Sequence, residues 1–154
     1  MDDAVASELP YITGLRFHHL GLAVRQPERA TRFLHALGYQ LGEEVFDPLQ
    51  NVKLAMAIHD NMPDVELIYP SGSGTGPLDL LLSAHTNGLV YHICYETDDL
   101  AKSLLAFKNS GAARLACILP PKSAVLFGGD PVSFYMVSGV GLIEIIDRNP
   151  SNGA

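Results

Sequence analysis

From residue 16 to 24 apolar and polar side chains alternate in a way that suits a half-buried strand. His18, Leu20, Leu22 and Val24 share one face, and Phe17, His19, Gly21 and Ala23 share the other. The period then changes. In "RQPERATRFLHALGY" Pro27 suits a first helical position, Ala30, Phe33, Leu34 and Leu37 recur at helical spacing, and Gly38 is a stop. Strands are predicted at 39–46, 52–58 and 65–69, separated by the turn sequences "DPLQN" and "HDNMP". "PSGSGTG" reads as a connector, and "PLDLLLSAHTNG" as a short helix closed by Gly88. The order then repeats. Residues 89–96 read as a strand. The following helix takes Thr97 or Asp98 as its N-cap, packs through Leu100, Leu104 and Phe107, and stops at Gly111. Further strands are expected around 114–119, at 124–127 or 132–136, and at 142–147, with "GGDP" as a hairpin turn. Residues 1 to about 14 read as a loose leader.

The plan is therefore β-α-β-β-β, a linker, and β-α-β-β-β, an internal duplication. Module one runs from about 15 to 70, the linker and short helix over 71–87, and module two from about 88 to 148, all within one domain of 154 residues. Apolar residues make up 47% of the chain and charged residues 18%, which excludes a disordered polymer. A net charge of −7 with no cluster of Lys or Arg argues against nucleic acid or an anionic membrane as partner. No apolar run is long enough to span a bilayer, and the acidic N-terminus does not resemble a signal peptide. Cys94 and Cys117 lie in apolar runs without metal-binding spacing, so both are expected to be buried reduced thiols in a cytoplasmic protein.

The duplication gives four residues a chemical meaning. His19 and His92 occupy the same place in the first strands of the two halves. Glu66 and Glu144 occupy the same place in the last. Glu66 lies between Val65 and Leu67, and Glu144 between Ile143 and Ile145. A carboxylate buried among such neighbours costs on the order of several kcal/mol unless compensated. One divalent cation would compensate both, and two imidazoles with two carboxylates form a suitable set for Zn, Co, Ni, Mn or Fe. A single strand histidine is more often a core residue than a ligand; the matching positions in two halves are what carry the argument. His18, on the opposite face, reads as structural. His35 reads as solvated, His59 and His85 as loop residues, and Lys53 as an ordinary solvated lysine that could reach an anionic substrate. The glycines at 72, 74 and 76 lack the context of a phosphate loop, and no nucleophile-base triad is visible.

"HHLGLAV", "VELIYP", "GLVYHICYETDDL" and "GVGLIEIID" resemble the vicinal oxygen chelate superfamily, which includes glyoxalase I, methylmalonyl-CoA epimerase, extradiol dioxygenases and the fosfomycin and bleomycin resistance proteins. The linker helix running into the second histidine strand is most similar to the epimerase branch. The resemblance implies an α+β fold of two tandem βαβββ modules, with a curved, cup-shaped mixed sheet and the helices outside. It implies that His19, Glu66, His92 and Glu144 hold one divalent metal ion, with no other cofactor, and that the protein is a homodimer. It implies a metal-dependent isomerase or epimerase that stabilises the enolate of a small acyl-CoA or related thioester, with Glu144 as first choice for the base and Glu66 as alternative or partner. Epimerases often carry Gln where Glu66 stands, so Glu66 matches the glyoxalase pattern. Leu54 replaces an acidic residue of some epimerases, and "VSG" at 137–139 replaces a frequent "HPK". The alternatives are a lactoylglutathione-type lyase, an extradiol dioxygenase using His19, His92 and Glu144 on Fe(II), and a non-catalytic ligand-sequestering protein.

Overall fold

In a computed structural model, which describes residues 13–150, the alternating runs become strands and the helical stripes become helices. The order is β1 (Arg16–Ala23), α1 (Pro27–Ala36), β2 (Gln40–Leu41), β3 (Val45–Asp47), β4 (Val52–Ile58), β5 (Asp64–Pro70), α2 (Pro77–Ala84), β6 (Leu89–Thr97), α3 (Leu100–Ser110), β7 (Leu115–Ser123), a 3₁₀ turn (Val125–Phe127), β8 (Pro131–Val137) and β9 (Gly141–Asp147). The α+β class with two βαβββ modules is as expected. The leader lies outside the described residues except for its last two positions.

The described chain forms two units. One contains residues 18–93 and 124–129; the other contains residues up to 17, 94–123 and those from 130 onward. In the first, β1 and β5 pair in parallel with Gly21 opposite Glu66, and β5 pairs antiparallel with β4, Met56 opposite Glu66. The strand expected at 39–46 is split into β2 and β3. Both pair with β4, but residues 42–44 outnumber Ala55 and Met56 opposite by one, so the ladder bulges there. Ala23, Val52, Leu54, Ile68, Leu78 and Leu82 form one core cluster, which seats α2. Helix α1 buries only Leu34; Phe33 and Leu37 of its expected stripe are exposed.

In the second unit, β9 pairs antiparallel with β8 and β8 with β7. The alternatives at 124–127 and 132–136 are decided: the former is the 3₁₀ turn and the latter lies in β8. The glycines of "GGDP" follow that turn at positive φ. Tyr135, Val137, Ile143 and Ile145 form the core beneath Leu100 and Leu104 of α3. Asp99, not Thr97 or Asp98, caps α3, accepting from the Lys102 N–H at 2.9 Å. Asp98 is instead gripped by both terminal nitrogens of Arg16, each at 3.1 Å. Gly111 ends the helix at φ 63°, as expected of a left-handed cap. β7 ends the strand order, and its register with β8 shifts between Leu119 and Lys122, where Pro120 and Pro121 lie.

Candidate metal centre

The parallel register of β1 and β5 puts His19, Gly21 and Glu66 on one side of the first unit's sheet, since side chains two apart share a face. Gly21 leaves the space that His92 of β6 fills. A Cβ at position 21 would lie 2.2–2.5 Å from three atoms of the His92 ring, closer than real atoms approach. Through that gap His92 Nε2 comes within 3.4 Å of His19 Nε2. Glu66 Oε2 lies 3.4 Å from His19 Nε2 and 3.6 Å from His92 Nε2. All three residues are buried, none more than 3% exposed.

These donors suit a cation. Each separation exceeds the roughly 2.7–3.2 Å of ordinary hydrogen bonds. A triangle with such edges has a centre about 2 Å from every corner, the length of a zinc bond to imidazole nitrogen or carboxylate oxygen. A buried negative oxygen facing two imidazole nitrogens is also the charge pattern a divalent ion requires. Three of the four expected ligands, His19, Glu66 and His92, thus meet within the first unit. The fourth, Glu144, belongs to the second unit, where it is buried at the middle of β9 opposite Phe134.

His18 lies against the His19 ring. Its Nδ1 lies 2.8 Å from Nδ1 of His19, and the two rings meet edge to face at 5.0 Å. The paired rungs of β1 on β5 begin at His19, so the ladder with β5 does not constrain residue 18. Phe127 of the 3₁₀ turn stacks on the His19 ring at 5.7 Å and meets His18 edge-on at 5.6 Å. Nothing in the alternation of 16–24 signals either contact.

Other candidates take ordinary places. Leu54 is buried in the apolar cluster beside Ala23 and Ile68. Lys53 is paired with Glu44 at 2.9 Å, and Glu44 also accepts from the Tyr69 hydroxyl. The hydroxyl and the ammonium hold the Glu44 carboxyl below its ordinary value, while burial and the same carboxylate push Tyr69 up. His35 and His85 are exposed. His59 Nδ1 accepts from the N–H groups of Asn61 and Met62, holding the turn before β5. Cys94 is buried as expected, but Cys117 is exposed: β7 carries polar residues and prolines after it and is mostly solvated. No described helix is long and apolar enough to cross a membrane.

Fold and donor set point to one class. The sequence profile of the Glyoxalase/Bleomycin resistance protein/Dioxygenase superfamily matches residues 18–131. The chain belongs to that superfamily. Within it, the chain is 30% identical over 120 residues to the ethylmalonyl-CoA/methylmalonyl-CoA epimerase of Cereibacter sphaeroides, covering 77% of this chain and 86% of that protein. It is 30% identical over 133 residues to the mitochondrial methylmalonyl-CoA epimerase of Mus musculus, covering 84% of this chain and 71% of that protein. The crystal structure of methylmalonyl-CoA epimerase from Mycobacterium tuberculosis shares the fold, with a TM-score of 0.68, 20% identity and 92% of both chains covered.

Proposed function

We propose that this chain is a divalent-metal-dependent epimerase or isomerase of a small acyl-CoA or related thioester, with His19, Glu66, His92 and Glu144 as the metal ligands. The buried triangle of His19, Glu66 and His92 carries the reading, because its edges fit one shared cation at ordinary bond lengths. Glu144 joins it on two grounds. It lies near the middle of the last strand of module two, as Glu66 does in module one, and it is as deeply buried as Glu66, at 3% exposed. The names of the two curated relatives supply the substrate class.

The ion, when bound, supplies Lewis acidity that lowers the cost of negative charge on a substrate carbonyl oxygen. The chain's own residues do the rest. Glu144 takes the proton from the carbon between the two carbonyl groups, acting as general base. Glu66 is the alternative base, or the partner on the opposite face once it has left the ion and taken a proton from solvent. Leu54 offers no titratable group, so it takes no part in proton transfer. Each glutamate is buried, at 3% exposed, which keeps bulk water from its carboxylate and strengthens its charge interactions.

The test combines metal analysis of purified protein with NMR detection of solvent deuterium entering the α-carbon of racemic acyl-CoAs. Wild type should carry about one ion per chain and exchange the proton. Glu144→Gln should keep the metal and lose orders of magnitude in exchange rate. Near-normal exchange in that variant removes Glu144 as the base, and a metal-free wild type that exchanges normally removes the whole reading. The glutamate at position 66, which matches the glyoxalase pattern, favours one second reading, a lactoylglutathione-type lyase. Turnover of a glutathione hemithioacetal with no exchange into acyl-CoAs would select it.

A further inference from the structure

We infer that His18 is a positioning residue that sets the tautomer and orientation of His19 for metal binding. The inference rests on the metal-centre reading and adds a part that no sequence comparison assigns. The His19 ring presents Nε2 to Glu66 and His92, at 3.4 Å from each, and Nδ1 to His18, at 2.8 Å. An imidazole nitrogen that ligates a cation must hold a lone pair, so the His19 proton resides on Nδ1. That N–H donates to Nδ1 of His18, which is therefore the acceptor and carries its own proton on Nε2. The result is an imidazole-to-imidazole relay. It turns the His19 ring so that Nε2 faces the triangle, and it raises the basicity of that nitrogen.

The surroundings favour a strong bond. The His19 side chain is fully buried, and Phe127 covers it by stacking, so bulk water does not compete for its Nδ1–H. Phe127 also meets the His18 ring edge-on, which fixes the acceptor against the same wall. Carboxylates and backbone carbonyls are the usual partners of a metal-bound histidine. Here a neutral ring fills that place, so the outer partner adds no negative charge to a centre that already includes a buried glutamate.

The experiment measures metal affinity by competition with a chromophoric chelator, alongside the melting temperature of the metal-free protein. The variants are His18→Leu, His18→Asn and His19→Ala. Removal of such an outer partner costs roughly 10–100-fold in metal affinity, and this is the loss expected of His18→Leu. His18→Asn keeps an acceptor oxygen in a smaller side chain and should recover most of the affinity. A purely steric role for His18 gives the opposite order, because Asn fills the space worse than Leu. His18→Leu binding metal as tightly as wild type, or Asn failing where Leu succeeds, overturns the inference while leaving the metal centre intact. His19→Ala retaining a full complement of metal overturns the centre itself, so the two failures are distinguishable. The absorption spectrum of the cobalt-substituted protein provides a readout independent of turnover: His18→Leu should shift its visible bands and His18→Asn should not.

Discussion

Replacing Gly21 by alanine tests the packing that assembles the site. The added Cβ would stand 2.2 Å from Cε1, 2.4 Å from Nδ1 and 2.5 Å from Nε2 of His92. Ordinary contact begins near 3.4 Å, so the ring must retreat by about 1 Å or the β1 backbone must give way. A rigid ring edge meets the intruder along its length, so rotating one flexible end cannot relieve the clash. The first route removes Nε2 from the triangle, since about 1 Å is half of a metal bond. The second strains the β1–β5 ladder at the rung that carries Glu66. Overpacking of this kind costs about 1–3 kcal/mol in the folded protein. Chelator competition and urea denaturation, each with and without metal, separate the routes. We expect Gly21→Ala to lose at least ~100-fold in metal affinity and about 1–3 kcal/mol of metal-free stability. Wild-type affinity and wild-type stability together would refute the reasoning, because they would show that His92 does not occupy the space glycine leaves.

Two further outcomes follow from groups away from the candidate metal centre. Glu44 has its folded pKa lowered by the Tyr69 hydroxyl and then by Lys53, so the unfolded chain binds its proton first as pH falls. Its contribution is therefore present above the ordinary glutamate value and is lost as pH drops through the lowered folded value. Glu44→Gln should flatten the acid limb of a stability-against-pH curve, and an unchanged limb counts against the Tyr69–Glu44–Lys53 chain. Cys117 should react with a thiol reagent in the native protein, whereas Cys94 should react only on unfolding; two equally fast thiols would contradict the burial of Cys94.

The elements were legible because their signals are local. Pro27, Gly38 and Gly111 punctuate helices by backbone geometry alone, and the alternation of 16–24 put His19 and Gly21 on the shared face. The Glu66 and Glu144 positions were visible because a carboxylate in an apolar strand is costly and the duplication placed two alike. What escaped depends on side-chain torsions and partners distant in sequence. Alternation gives the direction of a Cβ, not where an imidazole turns beyond it, so it sets His18 and His19 on opposite faces and hides the contact between their rings. Phe127 acts on the His19 ring from a 3₁₀ turn whose sequence reads as readily as a strand. Thr97, Asp98 and Asp99 are all capable caps; Arg16 occupies Asp98 and the Ser103 hydroxyl meets that of Thr97, which leaves Asp99. Phe33 and Leu37 follow a helical period, but only Leu34 of α1 is buried, in a cluster with Tyr39, Ala57 and Val65.

Pro120 and Pro121 sit in β7, the last strand in the order. Neither has an N–H to offer a neighbouring chain, and the register shift beside them bends the strand. Edge-on addition of a foreign strand is therefore interrupted at the middle of β7, which guards the sheet against fibril-like growth from that border.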